Sequence, residues 1–156
     1  MLEIERKFLI ANRSLLAPLL VNGKDIEQGY VLQEKGKSCR VRIKEKSAYL
    51  TLKFGDEALV RAEFEYEIPL IDGQALVERC SQKLSKTRYL VTHNNNTWEI
   101  DVFHGNLKGL ILAEIELSSI DQSIDLPDWI GEEVTHDPFY LNINLINLKG
   151  GIDRRF

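Results

Sequence analysis

Strict alternation of apolar and ionisable residues, repeated along most of the chain, restricts what this sequence can fold into. Residues 2–10 set Glu3, Glu5 and Lys7 against Ile4, Arg6 and Phe8, and residues 39–44 set Arg40, Arg42 and Lys44 against Cys39, Val41 and Ile43. A period of two belongs to the β-strand, whose successive side chains point to opposite faces. The design returns in YLTLKF (49–54), RAEFEYEI (61–68), SKTRYLV (85–91), TWEIDVF (97–103) and LILAEIEL (110–117). Between these segments lie Gly36-Lys37-Ser38, Gly55-Asp56, Asn94-Asn95-Asn96 and His104-Gly105-Asn106. These are turn residues, so consecutive antiparallel pairing through hairpins follows.

Helices are fewer. Asn12 or Ser14 is placed to cap a helix over 15–21, Asp72 to cap one over Gly73–Lys83, and Pro138–Leu148 puts Leu141, Leu145 and Leu148 on one side. The 156 residues, 44% apolar, carry no repeat or linker and predict one domain with one site. Residues 150–156, opening on Gly150-Gly151, read as a mobile tail. The acidic opening and the absence of a long apolar run predict a cytoplasmic protein without a membrane span. A net charge of -4 argues against binding nucleic acid by neutralising its backbone. Cys39 and Cys80 have no metal-binding spacing and read as buried thiols, while Trp98 and Trp129 read as packing residues under the helices.

The polar faces carry the chemistry, because their charges are sorted by sign. Arg40, Arg42, Lys44 and Lys53 are basic; Glu63, Glu65, Glu67, Glu99, Asp101, Glu114 and Glu116 are acidic. A carboxylate cluster repels itself unless cations enter it, and its hard oxygen donors suit Mg²⁺ or Mn²⁺. A guanidinium cluster repels itself unless a polyanion enters it. A polyphosphate satisfies both, gripped by Arg and Lys and bridged through metal to the acids. Such faces fit the inside of a closed antiparallel barrel, and a deep groove on an open sheet fits the alternation equally well.

The opening Glu3-Ile4-Glu5-Arg6-Lys7-Phe8 is an ExExK signature. With Gln28-Gly29-Tyr30, CRVRIK, LTLKF, EYEI, SKTRY, WEIDVF, AEIEL and WIGEEVT, followed by Asp137, Tyr140 and Asn142, it resembles the short bacterial branch of the CYTH superfamily, the triphosphate tunnel metalloenzymes. The resemblance implies an α+β fold: an eight-stranded closed antiparallel tunnel with a charged interior and a few helices outside. It implies a Mg²⁺- or Mn²⁺-dependent hydrolase of triphosphates, with inorganic triphosphate first among the substrates. Thiamine triphosphatase, adenylate cyclase and a non-catalytic polyphosphate-binding module are the alternatives, and homodimerisation is left open. Carried over by position, Lys7, Arg40, Arg42, Lys53, Lys86 and Arg88 would hold phosphate. Glu3, Glu5, Glu65, Glu67, Asp101, Glu114 and Glu116 would hold metal, with Lys44 and Glu63 continuing the faces. Tyr30 and Lys86 would orient or activate the attacking water. One departure is that Pro138-Phe139-Tyr140-Leu141-Asn142-Ile143-Asn144 lacks the basic residues that similar proteins tend to place there.

Overall fold

A computed structural model describes residues 2–56 and 59–145. The expected tail at 150–156, like residues 146–148 of the third helical stretch, lies outside them. Nine strands form one sheet: β1 Leu2–Ile10, β2 Lys24–Glu34, β3 Lys37–Lys44, β4 Ser47–Phe54, β5 Val60–Ile68, β6 Lys83–His93, β7 Asn96–Phe103, β8 Ile111–Glu116 and β9 Ile130–Glu133. Their order is β5-β4-β3-β2-β6-β7-β8-β1-β9, and β5 also pairs with β1, which closes eight of them into an antiparallel barrel. Closure rests on three residue pairs, Leu2↔Ala62, Glu3↔Arg61 and Ile4↔Val60. Further along β1, the same edge is taken by β9, through Phe8↔Glu133 and Ile10↔Ile130.

Two strands escape the alternation rule. In β2 the pairing register with β3 shifts between Tyr30 and Leu32, so the period of two breaks there. Gly29 sits just before the shift, and a Cβ on it would come within 2.7 Å of the Cys80 Cβ. A side chain is excluded at that point of β2. The four residues of β9 are too few to display a period.

The helices are shorter than their sequence signals. Asn12 does cap the first, its Oδ1 accepting the Leu15 N–H at 3.1 Å, but α1 spans only Arg13–Leu16 and tightens into a 3₁₀ turn at Ala17–Leu19. Pro18 lacks the N–H that an α-helix needs at this point. α2 runs Leu70–Arg79, starting three residues earlier than expected, with Pro69 at its N-cap and Asp72 inside its first turn. The expected stretch at 138–148 is a 3₁₀ turn at Pro138–Tyr140 followed by the short α3, Asn142–Leu145.

Where the strands alternate, their two faces give the barrel an outer and an inner layer of packing. Outside, Phe8, Val91, Trp98, Ile100, Ala113 and Ile115 from β1, β6, β7 and β8 form one core with Leu16, Leu117 and Trp129. Trp98 stands edge-on to Trp129 and Phe8, with ring centroids 5.7 and 5.5 Å apart. Leu16 is the one buried residue of α1, so a short helix and the chain around Trp129 cover this core instead of a long helix. Val41 and Val77, with Cys80, form a second outer core under α2. A third cluster was not anticipated: Leu84, Phe103 and Leu112 join Leu107, Leu110, Val134, Tyr140 and Leu145, with Leu9 packed against them. Leu9, Leu84 and Leu112 share the strand parity of Lys7, Lys86 and Glu114, so the inner face itself turns apolar at one end of the barrel. The charged interior is therefore backed by an apolar floor.

Candidate active site

Above that floor lies a cavity of about 620 Å³ lined almost wholly by charged and polar side chains. β1 contributes Glu3, Glu5 and Lys7; β3 contributes Arg40, Arg42 and Lys44; β8 contributes Glu114 and Glu116. Lys53 of β4, Arg88 of β6 and Tyr30 of β2 complete the expected set on the wall, together with Glu63 and Glu65 of β5. Leu141 and Asn144 also reach it, so the C-terminal segment that lacks basic residues still borders the cavity.

Cross-strand register decides which charges are already satisfied. Lys53 faces Glu63 and Glu3 faces Arg61, and the Lys53 ammonium lies 2.8 Å from Glu3 and 3.3 Å from Glu63. Lys7 faces Glu114 at 3.6 Å and donates to the Tyr140 carbonyl at 3.0 Å. Arg88 faces Asp101 and grips it with two N–H groups, at 2.7 and 2.8 Å, while a third reaches Glu99 at 2.8 Å. β3 differs. Arg40 faces Tyr30 and Thr51, Arg42 faces Gln28 and Tyr49, and every one of these neighbours is neutral. Among the described residues neither guanidinium has a carboxylate within ion-pair distance. Arg40 is buried with its Nε unpartnered, and Arg42, half-buried, has one hydrogen bond among the described residues, from its Nε to the Gln28 Oε1 at 3.0 Å. Burial, reinforced by Arg40 and Arg88, pulls the Arg42 guanidinium down to about 9, which leaves it charged at neutral pH. A buried cation without a counter-charge is costly, and an anion in the cavity would relieve it.

Three expected site residues lie off the wall. Lys86 is completely buried, its ammonium 2.6 Å from Asp101 and 5.4 Å from the centre of the Phe103 ring. Asp101 is equally buried and carries both Lys86 and Arg88. Lys86 shares a face with Arg88 but stands one step closer to the apolar floor, directly opposite Phe103, and reaches Asp101 diagonally. Burial pulls the Lys86 ammonium down, Asp101 pushes it back up, Arg88 and Arg42 pull it further down, and it settles at about 7. For Asp101, burial acts upward but Lys86 and Arg88 outweigh it and hold the carboxylate well below its usual range. Glu67 is exposed near the end of β5, beyond the stretch that pairs with β1. Of the charged wall residues, Arg61 was not singled out from sequence, and Glu99 was placed on the acidic face without a role. Arg61 lies 3.3 Å from Glu5 and 3.7 Å from Glu3, and Glu99 borders the cavity beside Arg88. Arg61 sits two positions before Glu63, on the same face, and parity alone would have found it.

The carboxylates suit a hard divalent cation. Glu5 stands directly opposite Glu116 and Glu99 directly opposite Glu114, and like charges so placed are destabilising without a cation between them. Burial, then Glu114 and Glu3, push the Glu5 carboxyl above its ordinary range. Burial also acts to raise Glu114, but Lys7 and Arg88 hold it down at about 2, ionised. Among the described residues no three acidic groups are already gathered around one point, so the fit is of donor chemistry and not of a finished cage.

Comparison with known proteins agrees with this arrangement. A family model described as the CYTH domain matches residues 1–144. An inorganic triphosphatase of Acetivibrio thermocellus is 41% identical over 146 residues, covering 92% of each chain. One of Nitrosomonas europaea is 34% identical over 148 residues, covering 91% of this chain and 95% of its own. A solved structure named as an inorganic triphosphatase superposes with a TM-score of 0.68 at 31% identity, covering 96% of this chain and 97% of that one. A conserved hypothetical protein of Pyrococcus furiosus follows at 0.60 and 25% identity, covering 76% and 80%. This chain belongs to the CYTH domain family.

Proposed function

We propose that the protein hydrolyses inorganic triphosphate to pyrophosphate and phosphate. The observation that carries this reading is the pair of guanidiniums on β3, Arg40 buried and Arg42 half-buried, without carboxylate partners among the described residues and facing a wall of glutamates across one cavity. The relatives named as inorganic triphosphatases support it. Arg40 and Arg42 donate N–H groups to phosphate oxygens, and the planar fork of each can engage two at once. Lys53 and Lys7, already tethered to Glu3 and Glu114, add positive charge without moving far. Positioning and charge neutralisation of this kind are most of what phosphoryl transfer demands of a protein.

Glu5, Glu114 and Glu116, with Glu3 beside them, would hold Mg²⁺ or Mn²⁺, which would neutralise the phosphate oxygens on the acidic side. The Tyr30 hydroxyl, on the wall beside Arg40, orients the water that attacks the terminal phosphorus. The new P–O bond forms as the bond to the bridging oxygen breaks, and the water's proton leaves with the released phosphate. Lys86 acts on this step through Asp101 and Arg88, which it holds in place from below.

On this reading the substrate is a small triphosphate, and a net charge of -4 argues against a nucleic acid held by its backbone. No described helix is long and apolar enough to cross a membrane. Phosphate release from inorganic triphosphate, ATP and thiamine triphosphate, each with Mg²⁺, Mn²⁺ or a chelator, tests the reading. Release from inorganic triphosphate that the chelator abolishes supports it. Cyclic AMP formed from ATP would move the protein to cyclase chemistry, and silence with all three substrates would leave a binding module.

A further inference from the structure

Gln28 lies on the inner face of β2, completely buried, directly opposite Arg42 of β3 on one side and Leu84 of β6 on the other. Its Oε1 accepts the Arg42 Nε–H at 3.0 Å. The orientation of the amide is forced, because a guanidinium only donates and must be met by the carbonyl end. The Nε2 end is then left buried with no partner among the described residues. Among the described residues three buried side-chain nitrogens lack a partner, this one, the Arg40 Nε and the Trp98 Nε1, and the first two belong to the paired inner faces of β2 and β3.

A glutamate in the same place would be the better partner for the fold. It would turn the bond into an ion pair and replace the orphaned N–H by a second acceptor. It would also cancel the charge of Arg42. A leucine would leave the charge but abandon the Nε–H. The amide alone fixes the guanidinium and leaves its charge available. Three other cations around the cavity are fixed by carboxylates, Lys53 by Glu3, Lys7 by Glu114 and Arg88 by Asp101, whereas Arg40, like Arg42, has only neutral cross-strand neighbours. Arg42 is the cation fixed by a neutral group.

Resting on the triphosphatase reading above, we propose that Gln28 is a positioning residue for substrate binding: its carbonyl orients the Arg42 guanidinium toward the phosphate while leaving that guanidinium its full positive charge. The contact is to Arg42 and not to substrate, since Gln28 is not among the cavity-lining residues. Its effect therefore falls on affinity more than on turnover.

The test compares Gln28→Glu and Gln28→Leu with the parent enzyme, reading KM and kcat for inorganic triphosphate beside the thermal midpoint. Gln28→Leu is expected to raise KM by roughly tenfold, with kcat within about threefold, the scale of one lost charge-assisted contact. In an Arg42→Ala background the same change is expected to add nothing, because the group it orients is gone. Gln28→Glu is expected to raise KM at least as much while the thermal midpoint holds or rises, so that stability and affinity move in opposite directions. A merely structural glutamine would give a lower midpoint with an unchanged KM in the folded protein, and that result would overturn the proposal. So would an effect of Gln28→Leu that is undiminished in the Arg42→Ala background. If the parent enzyme neither binds nor cleaves triphosphate, the functional reading falls and this inference with it. If the parent is active and both variants match it, this inference falls alone.

Discussion

Two walls of the same cavity treat positive charge in opposite ways. On β6 and β7, Lys86 and Arg88 are locked to Asp101 within 2.6–2.8 Å, and Arg88 also reaches Glu99. On β3, Arg40 and Arg42 are flanked by Tyr30, Thr51, Gln28 and Tyr49, none of them charged. Both walls bury cations, so burial alone does not distinguish structural charge from functional charge. The partner does. A cation that the fold neutralises has its interaction energy spent on the fold, whereas one held by neutral groups keeps it for a ligand.

That contrast can be broken by mutation, and the largest effect belongs to β3. Arg42→Ala or Arg40→Ala should lower kcat/KM for inorganic triphosphate by roughly 10²–10³-fold, the value of two charge-assisted hydrogen bonds. The thermal midpoint should hold for Arg40→Ala and fall only modestly for Arg42→Ala, because neither change strands a carboxylate and the second leaves only the neutral Gln28 Oε1 without its donor. Equal losses of stability and activity would erase the distinction between the walls. On the other wall Asp101→Asn should act on the fold first. Removing the carboxylate shared by two buried cations costs ~3–5 kcal/mol, measurable by denaturant unfolding. An unchanged midpoint would show that the triad is not structural.

Smaller effects sharpen the comparison. Lys86→Met keeps the buried volume and leaves Asp101 with Arg88, so kcat should fall by about tenfold or less with binding nearly intact. A collapse of turnover at full affinity would instead place the Lys86 ammonium in the chemical step. Tyr30→Phe should slow turnover several-fold, on the order of one hydrogen bond to the attacking water, and leave the triphosphate affinity in place. Glu67→Gln, exposed and off the cavity, should change kcat/KM by less than about twofold. A larger change would bring the end of β5 back into the site.

The inner wall was legible in the sequence because it obeys a local rule. Period-two alternation with one ionisable face placed Glu3, Glu5, Lys7, Arg40, Arg42, Lys53, Glu114 and Glu116 on one surface, and all of them border the cavity. What escaped depends on pairing between distant segments. Closure between β1 and β5 spans three residue pairs and leaves no trace in either segment alone. Lys86 has the same parity as Arg88, yet its level in the barrel, opposite Phe103 and over the apolar floor, follows from the β6–β7 register. β2 was hidden by the register shift after Tyr30, and with it went the neutral neighbour of Arg42. The helices were overextended because cap signals mark where a helix can begin, while Pro18, and in α2 the extended Cys80, set where each one stops.

The most direct test is a crystal structure of the protein with inorganic triphosphate and a divalent cation. The account predicts phosphate oxygens within hydrogen-bond distance of the Arg40 and Arg42 guanidiniums, with the Lys86–Asp101–Arg88 contacts still in place behind them. Triphosphate bound away from β3, or seated against Lys86 with Asp101 released, would contradict it.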